Sequence, residues 1–140
     1  MVSKWVVDSS VIIKWLSTDN EEYTNKADEI LTNAQKGNIV LIAPELAKYE
    51  VGNVLLLSKK LSSEQAKVIL IKFFNIPITF ITESVESAKE TYVLAFDFGI
   101  TYYDASFVAL AKRENAILVT DNVKHQGKDP GIKVVALKDY

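Results

Sequence analysis

Five short apolar runs recur along the chain, at residues 4–7, 39–42, 78–81, 117–119 and 133–135, with helix-patterned segments between them. Each run is too short to bury a helical face but long enough to cross a sheet. Such alternation restricts the chain to an α/β fold around a mostly parallel sheet of about five strands flanked by helices, since parallel neighbours need crossover segments between them. The intervening pattern predicts helices over 9–16 and 20–34, the second ending before Gly37. Pro44 suits a first helical turn and predicts a helix from 44 to about 60. Ser62 with Gln65 forms a capping box for a helix ending near 75, and a weaker box at Thr82 precedes a helical run that stops at Gly99. A last helix is expected over about 102–115, and residues 127–131 read as a loop. No repeat or linker interrupts the pattern, so residues 1–140 are expected to form one domain.

Inventory removes several chemistries. With no Cys and His125 as the single histidine, neither a zinc site of the usual composition nor a disulfide can be assembled, and a Ser-His-Asp triad would depend on one loop histidine. Neither a GxxxxGK[ST] loop nor a GxGxxG fingerprint is present. A net charge of −2 argues against coating nucleic acid by bulk electrostatics. The N-terminal apolar segment contains Asp8 and Lys14 and reads as a strand and helix, not a signal peptide. No run approaches the ~18 apolar residues of a membrane span. Absence of Cys suits a cytoplasmic location.

Carboxylates remain. Asp8 follows the first apolar run and so stands at the C-terminal edge of a strand, where open α/β sheets bind ligands; it serves equally as N-cap of the helix opening at Ser9. On the helix from Pro44, an arc of Leu46, Ala47, Val54 and Leu57 also contains Glu50 and Asn53. A carboxylate on a core-facing stripe must be paired, protonated or bound to a metal, unless it reaches past its neighbours to solvent. Asp104 lies three residues after Thr101, an acidic variant of the capping box, in a helix whose faces carry Ala105, Ala109 and Ala111. Asp121 follows the fourth run and Thr120; alone, Asp121-Asn122 is an ordinary turn. Two strand ends could gather all four acids, and hard oxygen ligands of this kind suit Mg²⁺ or Mn²⁺.

The segments Val6-Val7-Asp8-Ser9-Ser10, Tyr49-Glu50-Val51-Gly52-Asn53, Gly99 to Ser106 and Ala116 to Asn122 resemble, in order and across essentially the whole chain, the four motifs of PIN-domain ribonucleases, most of all the VapC toxins of VapBC toxin–antitoxin pairs. The resemblance implies a PIN-like fold and a Mg²⁺- or Mn²⁺-dependent endoribonuclease, homodimeric and inhibited by a VapB-type antitoxin. It makes Asp8 and Asp104 the principal metal ligands, Glu50 a ligand directly or through water, and Ser10 and Asn53 supporting hydrogen-bond residues. The family usually closes its last motif with Thr-x-Asp. Here Thr120-Asp121-Asn122 puts Asn122 where that acid is expected, so either Asp121 substitutes by a local backbone adjustment or the fourth acid is absent.

Lys14, Lys48, Lys112, Arg113, Lys124 and Lys128 are candidates to guide RNA, against the ordinary role of solvated surface cations. Apolar residues on more than one face of 54–57 and 68–74 predict a partner surface, for a second copy or an antitoxin helix. The competing reading is a catalytically silent PIN-like module that binds RNA or protein. A receiver-like signalling domain would need an acidic pair after the first strand, and Asp8 is followed by Ser9-Ser10.

Overall fold

The computed structural model describes residues 2–140. Five strands, β1 (Ser3–Val7), β2 (Ile39–Pro44), β3 (Ile78–Ile81), β4 (Ile117–Thr120) and β5 (Val134–Ala136), form one wholly parallel sheet in the order β3-β2-β1-β4-β5. Register pairs Trp5 with Leu41 on one side of β1 and with Ile117 on the other. Successive residues Val6 and Val7, Leu41 to Ala43, and Leu118 to Thr120 are all buried, so the central strands are covered on both faces and cannot show polar alternation.

Helices α1 (Ser9–Leu16), α2 (Thr24–Gln35), α3 (Leu46–Leu57) and α4 (Ser63–Phe74) fill the β1-to-β2 and β2-to-β3 crossovers. The return from β3 to β4 carries α5 (Val85–Phe98) and α6 (Tyr102–Glu114), followed after β4 by the short α7 (Val123–Gln126). Strand order therefore reverses at β1 and β4. In a right-handed doubly wound sheet that reversal opens a crevice at the C-terminal strand ends, which is where Asp8 and Asp121 leave β1 and β4. On α6, Ala105, Val108, Ala109 and Ala111 are at most 1% exposed, small side chains that let the helix axis lie close to the strands. No single described helix is long and apolar enough to cross a membrane.

Several boundaries differ from expectation for local reasons. Helix α2 starts at Thr24 instead of residue 20, because Asn20 and Tyr23 both take left-handed backbone with φ of 57°. Pro44 ends β2, opposite Ile81, and does not open α3; lacking an N–H, it suits the point where the ladder stops. Helix α3 ends at Leu57, short of residue 60, and Leu57 is 62% exposed: the buried stripe is Ala47, Val51 and Leu55, rotated from the expected arc. The box before α5 is Ser84 with Ser87, not Thr82. The stop at Gly99 holds, with the left-handed φ of 63° that a residue without Cβ takes at no steric cost. The last strand is shifted by one residue, to Val134–Ala136.

Candidate active site

Asp8 caps α1 and is the most heavily hydrogen-bonded carboxylate at the strand edge. Its Oδ2 accepts from Ser10 Oγ (2.6 Å), Ser10 N (3.3 Å) and Thr120 Oγ1 (3.1 Å), and its Oδ1 accepts from Gln126 Nε2 (3.2 Å). Capping and site roles thus coincide in one side chain: the free N–H groups at the start of α1 favour the carboxylate charge, and β1 fixes where that charge stands. Ser10 also accepts from the backbone N–H of Asp121 (3.1 Å), and Thr120, fully buried, accepts from the N–H of Asn122 (3.1 Å). These two hydroxyls join the ends of β1 and β4.

Glu50 reaches this edge from α3. Its Oε1 accepts from Ser9 Oγ at 2.7 Å. Burial pushes its carboxyl above the ordinary 4.5; the Ser9 hydroxyl opposes this, and the negative charges of Asp8 and Asp104 add to it. Asp104 stands in the first turn of α6, where its backbone N–H donates to the capping Thr101 Oγ1 (3.0 Å), leaving its half-buried carboxylate free of that bond. Among the described residues none of Asp8, Glu50 and Asp104 is in a salt bridge.

The rest of the expected set is placed differently. Asp121 turns its carboxylate to Lys14 Nζ at 3.1 Å. Asn122 caps α7, its Oδ1 accepting from Lys124 N at 3.2 Å. Asn53 is exposed on α3 and makes no side-chain hydrogen bond among the described residues. Lys14 is not a solvated cation: its side chain is 1% exposed and contacts Glu21 (3.0 Å), Asp121 and the carbonyl of Glu22 (2.7 Å). Hydrogen bonds to Glu21 and Asp121 outweigh the burial that would lower its pKa, and hold it above 10.5. Lys59 lies 2.6 Å from Glu21 and, with Lys14, holds that carboxyl below 4.5 despite its burial. Of the other candidate RNA-guiding cations, Lys48 pairs with Glu45, Lys112 with Asp129 and Arg113 with Glu90.

Gln126 is the residue that sequence reasoning missed. The four-residue α7 has too little periodicity to announce itself, and the only available signal was Asn122 as a capping residue after a strand.

Three carboxylates unpaired with any cation among the described residues are oxygen donors of the kind a hard divalent cation takes, and burial, with the charges of Asp8 and Asp104 added, disfavours the ionised form of Glu50 that a cation would offset. Among the described residues no three His, Cys, Asp or Glu side chains are drawn into a closed ligand group. The chemistry of the set fits; a ready-made cage is not built.

The PIN domain family model matches residues 5–128, and the chain belongs to this family. Solved structures agree at the level of the fold. VapBC2 from Rickettsia felis, bound to a DNA fragment from its promoter, superposes with a TM-score of 0.70 at 17% identity, covering 95% of this chain and 98% of that one. PAE2754 from Pyrobaculum aerophilum gives 0.69 at 23% identity over 99% and 92% of the two chains. VapC20 from Mycobacterium tuberculosis, a toxin that cleaves the sarcin-ricin loop, gives 0.67 at 8% identity over 88% and 93%. No curated protein sequence matches the chain significantly.

Proposed function

We propose that the protein is a metal-dependent endoribonuclease, the toxin of a VapBC-type pair acting in the cytoplasm. The observation that carries this reading is that Asp8 and Asp104, at the strand-order reversal, both lie near enough to Glu50 for their charges to act on it, while none of the three carboxylates is paired with a cation among the described residues. PIN domains are generally nucleases, and the structural neighbours include VapBC complexes.

Asp8 and Asp104 would hold a Mg²⁺ or Mn²⁺ ion, with Glu50 alongside. Such an ion, when bound, lowers the pKa of water and offsets charge on a phosphate. The chain's own contribution is positional. Ser10 and Thr120 hold Oδ2 of Asp8 in place, so its orientation needs no reordering when substrate arrives. Glu50, whose carboxyl is raised above its ordinary value, is suited to take a proton from an attacking water; Ser9 aims it. The start of α6, beside Asp104, carries backbone N–H groups that would suit a bound phosphate. In this reading Asp121 serves Lys14, and the holding set is the other three acids.

The proposed partners are a second copy of the chain and a VapB-type antitoxin. Leu56 and Leu57 on α3 with Val68, Ile71 and Phe74 on α4 are each more than 60% exposed, an apolar surface that suits association. The decisive assay is RNA cleavage by metal-free protein before and after addition of Mn²⁺. Cleavage should appear only with the ion and leave 5′-phosphate and 3′-hydroxyl ends, because water and not the ribose 2′-OH is the nucleophile. Cyclic 2′,3′-phosphate ends, or activity that persists in EDTA, would contradict it. A silent RNA-binding module would bind RNA without cutting it under either condition.

A further inference from the structure

Gln126 is 3% exposed, whereas Val123, Lys124 and His125 on the same short helix are all exposed. Its amide is half satisfied. Nε2 donates to Oδ1 of Asp8 at 3.2 Å, and the buried Oε1 has no hydrogen-bond partner among the described residues. A buried acceptor without a partner is destabilising, and an apolar side chain of the same length would remove that penalty while giving up the bond to Asp8. An amide that leaves one buried atom without a partner and turns its other on a site carboxylate serves that carboxylate.

The two oxygens of Asp8 differ in what they have left to give. Oδ2 already accepts three donors, from Ser10 N, Ser10 Oγ and Thr120 Oγ1. Oδ1 accepts only the Gln126 amide among the described residues, so it is the oxygen with a lone pair to offer. The terminal torsion of an aspartate is broad, so the three bonds to Oδ2 restrain Oδ1 only indirectly and leave it some residual freedom. A donor on Oδ1 itself removes that freedom.

We infer that Gln126 is a positioning residue, which aims Oδ1 of Asp8 as the oxygen this carboxylate presents to a divalent cation. The inference rests on the metal-dependent reading above. Its test is Mn²⁺ titration by calorimetry of metal-free wild type, Asp8→Asn, Gln126→Met and Gln126→Ala, with thermal melts of the same samples without metal. Gln126→Met should weaken Mn²⁺ binding about 10- to 100-fold, the usual effect of removing a residue that orients a ligand. Its melting temperature without metal should stay close to that of wild type, since removal of the partnerless Oε1 offsets loss of the bond to Asp8; Gln126→Ala should show the same affinity loss if the Met variant folds poorly. A purely structural peg for α7 would do the opposite, with melting temperature falling and affinity unchanged, and that result overturns the inference. If wild type binds Mn²⁺, Asp8→Asn does not, and Gln126→Met binds as wild type, the inference fails alone. If wild type and Asp8→Asn are alike, the metal-dependent reading itself fails. A metal-free check stands apart from both: the Gln126 side-chain amide protons should shift in ¹⁵N-resolved spectra when Asp8 becomes Ala, and an amide indifferent to Asp8 would refute the positioning role whatever the ion does.

Discussion

Two groups of acids sit at the same end of the sheet and are treated in opposite ways. Glu21 and Asp121 are matched by Lys14 and Lys59, all four within one chain of contacts of 2.6 to 3.1 Å. Among the described residues Asp8, Glu50 and Asp104 pair with no lysine or arginine; Asp8 and Glu50 are met only by hydroxyls, one backbone N–H and one amide. Hydrogen bonds of this kind orient a carboxylate but leave its charge in place. The chain supplies its own cations where the charges tie α1 to the segments around Glu21 and Asp121, and supplies none, among the described residues, where the proposed metal ion would sit. The same contrast explains why Lys14, the nearest candidate for an RNA-guiding cation in the first helix, is unavailable for that task.

Breaking the matched group should have the largest effect. Lys14→Met leaves Glu21 and Asp121 facing each other with only Lys59 as counter-charge, and removing one partner of a buried ion pair typically costs about 3–5 kcal/mol. Urea unfolding should show a loss in that range. A change below about 1 kcal/mol would mean that the pairing is as weak as an ordinary surface bridge.

Within the unmatched group, the two aspartates should respond in function and not in stability. Asp8→Asn and Asp104→Asn each keep the size of the side chain, and Asn caps α1 as well as Asp does. Both should fold with unchanged unfolding midpoints within ~0.5 kcal/mol, while Mn²⁺-dependent RNA cleavage falls on the order of 100-fold or more. Wild-type rates in either variant, with contaminating nuclease excluded, would remove that residue from the site.

Acid should separate the two groups by sign. Glu21 has a folded pKa below 4.5, so its stabilisation is present above that pH and is lost as pH falls through the lowered value. Lys14, raised above 10.5, contributes fully below that pH and is lost only in strong base. Glu50 runs the other way. Its folded pKa lies above 4.5, so the folded state binds the proton more readily than the unfolded chain, and stability declines as pH rises from about 4.5 through the raised value. Glu50→Gln should therefore melt higher than wild type at pH 7 and equally at pH 4 or below. Added Mn²⁺ should raise the wild-type melting temperature and narrow that gap, since an ion that binds only the folded state stabilises it. A Glu50→Gln advantage that is constant from pH 4 to 7 would show that the charge of Glu50 is not the cause.

How much of this was legible in the sequence follows from the range of the forces involved. Strand positions to within two residues, the capping box at Ser62 and the stop at Gly99 depend on residues a few places apart, and they stand as expected. So does the placement of Asp8 and Asp121 at strand ends, because each closes a single apolar run. The buried stripe of α3 was misread by the inclusion of Leu57, since periodicity shows that a face is apolar but not which part of it another element covers. Lys14 was unreadable as a buried ion-pair partner because Glu21 and Asp121 reach it across a loop and from another strand. Gln126 lay hidden for the same reason, its partner being 118 residues away.

The smallest expected effects concern the altered fourth motif, and they bear most directly on whether the two acidic groups are separate. Asp121 gives its carboxylate to Lys14, its side chain remains 35% exposed, and Lys14 keeps Glu21 and the Glu22 carbonyl without it. Asp121→Asn should thus cost only about 0.5–1 kcal/mol, in the range of partly solvated pairs, and leave Mn²⁺ affinity within about twofold of wild type. Asn122 spends its side-chain oxygen on the first turn of α7, and Asp caps as well as Asn, so Asn122→Asp should change both quantities little. Calorimetric Mn²⁺ titration of the two variants checks both. A tenfold weakening by Asp121→Asn at unchanged stability would mean that this carboxylate leaves Lys14 for the ion, and the two groups would then be one. A strong tightening by Asn122→Asp would mean that the cap opens when a charge is offered there, restoring the acid that the last motif lacks.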